Sequence, residues 1–157
     1  MDANLINPIL TTMVNVLTTM AQIQPSMGKP ELKEGDVALG EVTGIMTMNS
    51  PQMNGSFSLT FTTPAILDIA RRMLGEEFTE LNDATKDLAG EMTNMVVGGA
   101  KNLYVEHGYD FSMSTPNIIE GKDHKVVHSC GGKTLVLPFE IEGSKFYVEL
   151  CFEKTAA

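Results

Sequence analysis

Residues 83–104 are the stretch that most constrains this chain. At about 100° per residue, an α-helix gathers Asp87, Glu91, Asn94, Gly98 and Lys101 into one narrow band and Leu88, Met92, Met95, Val96, Gly99 and Leu103 into another. The second band is the predicted buried face, and the first looks outward. A solvated face is most cheaply made of Glu, Lys and Gln. Asn competes for backbone hydrogen bonds, and Gly98 and Gly99 each cost roughly 1 kcal/mol against Ala in a helix. Gly98, one turn past Asn94, leaves room for another molecule's backbone, while Gly99 on the core side permits tight packing. The outward band therefore reads as a docking surface. By spacing alone, a lone E-x-x-N more often belongs to an ordinary solvated helix face, because the pattern occurs widely.

The flanking patterns predict what holds this helix. Leu5, Ile6, Ile9, Leu10, Met13, Leu17 and Met20 recur at helical spacing, with Asn7 as N-cap and Pro8 at the first helical position. Inside that helix Thr12 and Asn15 repeat the spacing of Glu91 and Asn94 without the acid, either as an echo of an internal duplication or by chance. Residues 23–36, with two prolines and two glycines, read as a surface loop with room for a short strand. Residues 37–48 and 56–61 form a β-hairpin, and the strict alternation of 56–61 predicts a half-buried strand. Thr63 as N-cap and Pro64 open a short helix that stops at Gly75, with Arg71 and Arg72 on its outer side.

Further strands are expected at 111–114, 125–128, 134–141 and 145–152, the last two joined by a turn at 142–144. Pro138 cannot donate to a ladder, so its strand lies at an edge or is bulged there. The order of elements gives an α+β domain, a mostly antiparallel sheet covered by helices. At 157 residues the chain reads as one domain, 1–157.

Composition removes several functions. A formal charge of −9 without a basic run makes a nucleic-acid partner implausible, because phosphate contacts need clustered cations. The first twenty residues carry no Lys or Arg, and no run is apolar enough to cross a bilayer, so a cytoplasmic protein without a membrane partner is expected. Cys130 and Cys151 lack CxxC spacing and His neighbours, which suggests reduced thiols. His107, His124 and His128 read as surface or structural residues, since a four-residue spacing in a strand lacks the helical geometry of HExxH. The eleven methionines fill a core flexibly and can supply adaptable contact surface.

No P-loop, nucleophile elbow, dinucleotide fingerprint or zinc spacing is present. What remains is the carboxylate of Glu91 and the carboxamide of Asn94, one turn apart. A carboxamide both donates and accepts hydrogen bonds and can hold a water in line with an electrophile, as a Gln does in GTPases. A neighbouring Glu can dock on a cation of a substrate protein. Such a pair suits phosphoryl hydrolysis if the partner supplies the metal and the electrophile.

The run from Asp87 through Glu91, Asn94 and Gly98 to Ala100-Lys101 strongly resembles the D-x-x-x-E-x-x-N-x-x-x-G-x-A-K signature of the CheX branch of the CheC/CheX/FliY phosphatases. The likeness extends to Asn7-Pro8, Gly40 and Gly44, Gly55-Ser56, Met73-Leu74-Gly75 and Ser114-Thr115-Pro116, and so covers nearly the whole chain. The resemblance implies a CheC-like fold with a long central helix and a phosphatase that hydrolyses the phospho-aspartate of a CheY-like response regulator. Asn94 would position the water and Glu91 would contact the regulator's active-site lysine. Asp87 would support the helix face, with Gly98 and Lys101 completing the partner contact. It implies magnesium on the regulator and no metal or cofactor here, and dimerisation through sheet edges. Because Thr12-x-x-Asn15 lacks the acid, one active site per chain is expected. The alternative is a non-catalytic module that binds and sequesters a response regulator.

Overall fold

The computed structural model describes residues 3–155. In chain order the elements are α1 (Ala3–Val16), continued by a π-helical turn (Leu17–Ala21), β1 (Ser26–Met27), β2 (Glu31–Leu32), β3 (Val42–Asn49) and β4 (Met53–Phe61). They are followed by α2 (Thr63–Leu74), α3 (Asp83–Glu106), β5 (Ser112–Met113), β6 (Asn117–Glu120), β7 (Thr134–Ile141) and β8 (Ser144–Lys154). The sheet runs β1-β7-β8-β4-β3-β5, with β2 also on β7 and β6 also on β3. Every pairing is antiparallel. This is the α+β architecture expected.

One face of the sheet meets the helices. Phe57, Leu59 and Phe61 of β4 stand opposite Leu150, Val148 and Phe146 of β8, and all six are fully buried with Ile9 and Met13 of α1, Ile66 and Ile69 of α2, and Met92, Val96 and Val97 of α3. The Glu142-Gly143 turn has both residues in the left-handed region (φ 45° and 85°), as a two-residue hairpin between right-twisted strands requires. Pro138 is in register with Tyr147 of β8, and its carbonyl accepts from Gly28 N (2.8 Å) on the outer side of β7, in the gap between β1 and β2, where its own nitrogen need not donate.

Five expectations need correction. Pro8 lies inside α1 instead of opening it. Burial of Leu5 (3 % exposed) and the 2.5 Å hydrogen bond from the Tyr104 hydroxyl to the Leu5 carbonyl hold the preceding turn in helix. Thr62, not Thr63, is the N-cap of α2. The cap is supplied from elsewhere, since the Glu41 carboxylate accepts from Thr63 N (2.8 Å) and Thr63 Oγ1 (2.9 Å), an anion where the helix dipole favours one. Residues 125–128 are not a strand, and only Lys125 makes a bridge, to Val37.

The fourth correction concerns the far face of the sheet. Ser56, Ser58 and Thr60 are buried as deeply as the apolar residues between them, because residues 121–133 lie across them. His124 Nε2 is 2.6 Å from Thr43 Oγ1, which meets Thr60 Oγ1 at 2.7 Å. His128 Nδ1 meets Ser56 Oγ at 2.7 Å, and its Nε2 donates to Glu149 Oε1 at 3.2 Å. Lys33 Nζ donates to Glu149 Oε2 at 2.8 Å. Cys130 and Cys151, expected as free thiols, form a disulfide that ties the covering segment to β8. Ser56 and Thr60 are thus core residues with partners brought to them, while Ser58 Oγ, buried between them, has no hydrogen-bond partner among the described residues.

Candidate functional site: the outward row of α3

Helix α3 is fixed at its start by a capping box. Asn82 Oδ1 accepts from Thr85 N (3.0 Å), and Thr85 Oγ1 accepts from Asn82 N (2.8 Å), which satisfies two end amides reciprocally. Its buried side is broader than the predicted band. Thr85, Leu88, Ala89, Met92, Thr93, Val96, Val97, Ala100 and Tyr104 are enclosed, whereas Met95, Gly99 and Leu103 are only half-buried. The arc widens because α3 packs on both the sheet and α1. A Cβ on Gly99 would lie 2.5 Å from Thr12 Cγ2 of α1, and one on Gly90 3.3 Å from Ile118 Cδ1 of β6. Gly99 therefore permits the tight packing expected of it.

The other side carries the row read from the sequence. Asp87, Glu91, Asn94 and Gly98 are exposed and Lys101 is half-buried. Three residues at 1.5 Å rise separate Glu91 and Asn94 by about 4.5 Å along the axis, so one partner group can meet both. Among the described residues neither side chain makes a hydrogen bond or ion pair with the rest of the chain. Apart from its chain neighbours and the helix's own backbone, no described residue comes within 4 Å of a Cβ at Gly98, so that position is open to a visitor. The row runs on through Asn102 and Val105, also exposed, which sequence reasoning did not include. Their spacing of four and seven from Gly98 was the available signal.

The pair stands on a helix surface. An apolar cleft of about 440 Å³, lined by residues including Leu5, Met53, Tyr109 and Phe152, contains neither Glu91 nor Asn94. Small-molecule sites are usually concave, so an exposed helix face carrying a carboxylate and a carboxamide suits a macromolecular partner that brings its own pocket. Thr12 is buried against Gly99 while Asn15 is exposed, so the α1 echo presents an amide without a neighbouring acid.

The far face holds a second cluster that sequence reasoning missed. Ser56, His128 and Glu149 are linked in the order of a hydrolytic triad, but Ser56 is 1 % exposed and Lys33 occupies the other oxygen of Glu149. Without access to Ser56 Oγ the cluster is structural. Burial acts to raise the Glu149 pKa, but hydrogen bonds from His128 and Lys33 outweigh it and hold the carboxyl below its ordinary value. Among the described residues no three His, Cys, Asp or Glu side chains gather as metal ligands, and no helix is long and apolar enough to cross a membrane.

This fold is that of the CheC-like proteins. The structure of a CheC-like superfamily protein from Shewanella sp. PV-4 is 44% identical to this chain, covers 98% of it and 99% of its own length, and superposes with a TM-score of 0.91. The chain belongs to the chemotaxis phosphatase CheX family, whose model matches residues 42–140. It is 25% identical over 149 residues to the CheY-P phosphatase CheX of Thermotoga maritima, with 90% of each chain covered. The fold is also shared, at 23% identity and a TM-score of 0.80 over 94% of this chain and 97% of the other, with a structure of the CheX–CheY–BeF3–Mg2+ complex from Borrelia burgdorferi.

Proposed function

We propose that this protein accelerates hydrolysis of the phospho-aspartate of a CheY-like response regulator and so terminates a chemotaxis or two-component signal. The observation that carries the reading is the exposure of Glu91 and Asn94, unpaired among the described residues, on one face of α3. The relative from Thermotoga maritima acts on CheY-P, and the Borrelia burgdorferi relative forms a complex with CheY.

The chemistry asked of this chain is modest. The Asn94 carboxamide accepts one hydrogen bond from a water and donates another, holding the water oxygen in line with the phosphorus. Attack forms the new P–O bond and breaks the bond to the aspartyl oxygen. The products are the free carboxylate and inorganic phosphate, and the water's proton passes to the phosphate or to solvent. Glu91 pairs with the regulator's active-site lysine, a charge-assisted contact that orients the complex. Asp87 supports the helix face, and Gly98 and Lys101 complete the contact. Magnesium belongs to the regulator in this reading and neutralises charge on the phosphoryl oxygens.

We read residues 1–157 as a single phosphatase domain acting in the cytoplasm, where its substrate is made. Two copies join through sheet edges, whose outer strands β1, β2, β5 and β6 are short. The test is decay of a radiolabelled phospho-regulator with and without this protein. Catalysis speeds the decay, and sequestration slows it or leaves it unchanged. Asn94→Ala should abolish the acceleration while leaving binding measurable, and Glu91→Ala should weaken both. Undiminished acceleration in the Asn94 variant would remove the assignment.

A further inference from the structure

We infer that Thr93 and Gly44 together position the Glu91–Asn94 pair, an inference that rests on the hydrolytic reading above. Thr93 directly precedes Asn94, is fully buried, and points from α3 into the sheet. Its hydroxyl donates to the Ala89 carbonyl one turn back (2.7 Å), so a polar atom enters the core satisfied. Beneath it lies Gly44 of β3. A Cβ at position 44 would come within 3.0 Å of Thr93 Cβ and 3.2 Å of Cγ2, and closer still to Oγ1.

Both residues are poor local choices. Glycine weakens a strand interior, and threonine gives up rotamer freedom in a helix. They meet at one point, where the missing side chain of one makes the socket for the other. Gly44 cannot retreat, because β3 is held on both sides there, with Leu59 of β4 and Ile118 of β6 as its register partners. Nor can α3 slide away freely, being seated against α1 at Gly99 and against β6 at Gly90. The height and rotation of α3 at position 93 are therefore set by the socket.

The two partner contacts respond differently to a shift there. An ion pair through Glu91 weakens gradually with distance, whereas in-line alignment of a water tolerates little, and a displacement of about 1 Å can cost about a hundredfold in rate. Filling the socket should lower the chemical step and spare binding.

The experiment compares Gly44→Ala, Thr93→Ala, the double variant and wild type. It reads single-turnover decay of the phospho-regulator and, separately, affinity for the beryllofluoride-loaded regulator. Gly44→Ala should slow assisted decay by about tenfold or more with affinity within about threefold of wild type. The double variant should recover most of the rate, because the new methyl occupies space the threonine vacates. A Gly44→Ala protein with the wild-type rate, or a double variant no faster than Gly44→Ala, overturns the inference.

Should Gly44→Ala fail to fold, Thr93→Ala decides. It should slow decay by about threefold or more at unchanged affinity, with Thr93→Ser restoring the rate, and a wild-type rate in Thr93→Ala overturns the inference. An Asn94→Ala control that keeps full acceleration sinks the hydrolytic reading itself, and is a separate outcome from any of these.

Discussion

Lys33 Nζ lies 2.8 Å from Glu149 Oε2 on the face of the sheet away from α3, and the two side chains are almost wholly enclosed, at 6 % and 0 % exposed. A buried ion pair need add little to stability, but removing one member strands the other charge in a poor solvent. Lys33→Ala should therefore lower the unfolding free energy, read by urea denaturation, but by less than the roughly 3–5 kcal/mol of a fully stranded charge, because His128 Nε2 still donates to Glu149 Oε1. Replacing both residues by apolar ones of similar volume should cost much less. Equal losses in the single and double variants would show that the pair is not coupled.

The same carboxyl sets an acid limb of the stability curve. Its folded pKa lies below the ordinary carboxylate value because His128 and Lys33 overcome the effect of burial. A group whose folded pKa is depressed contributes stability above its unfolded pKa and loses it as pH falls through the folded one. The unfolding free energy should thus decline as pH drops below about 4.5, and the decline should be shallower in Glu149→Gln. An identical acid limb in that variant would assign the effect to other carboxylates.

The Cys130–Cys151 disulfide closes a loop of sequence separation 21 and fastens residues 121–133 over the buried polar face. In the chain-entropy account a loop of this length is worth about 3 kcal/mol. Reduction, or Cys130→Ser with Cys151→Ala, should lower stability by about that amount and raise amide exchange in the covering segment. Regulator dephosphorylation should be unchanged, since α3 lies on the opposite face. No change in exchange would mean that the hydrogen bonds of His124 and His128 hold the segment unaided.

The legibility of this chain follows the range of the forces involved. The outward row of α3 was readable because helical spacing places Asp87, Glu91, Asn94 and Gly98 together whatever the rest of the chain does. Gly75 as a left-handed cap (φ 74°) and the Glu142-Gly143 turn were readable for the same local reason. The far face was not. Ser56, Ser58 and Thr60 alternate with apolar residues as a solvated strand would, and what buries them comes from residues 121–133, about seventy positions along. The disulfide was missed because neither cysteine carries a spacing signal, and their proximity exists only once β8 and the covering segment have met. Pro8 misled because a tertiary hydrogen bond from Tyr104 to Leu5 outweighs a local helix-start rule.

The adjacent glycines of α3 should behave in opposite ways. A Cβ at Gly98 would meet no described residue beyond its own helix backbone within 4 Å, while at Gly99 the same atom would lie 2.5 Å from Thr12 Cγ2. Gly98→Ala should raise stability by up to about 1 kcal/mol, the helix penalty of glycine. Gly99→Ala should lower it by about 1–3 kcal/mol, as overpacking between α1 and α3 does. Thermal unfolding of the two variants checks the signs. Docking separates the residues further. Gly98→Leu should leave the fold undisturbed while filling the open space one turn past Asn94, where the proposed partner's backbone would approach. Its affinity for the beryllofluoride-loaded regulator should fall about tenfold or more, ~1.4 kcal/mol, while its thermal midpoint holds or rises. A Gly98→Leu protein that binds as tightly as wild type would mean that the exposed row of α3 is not where the regulator docks.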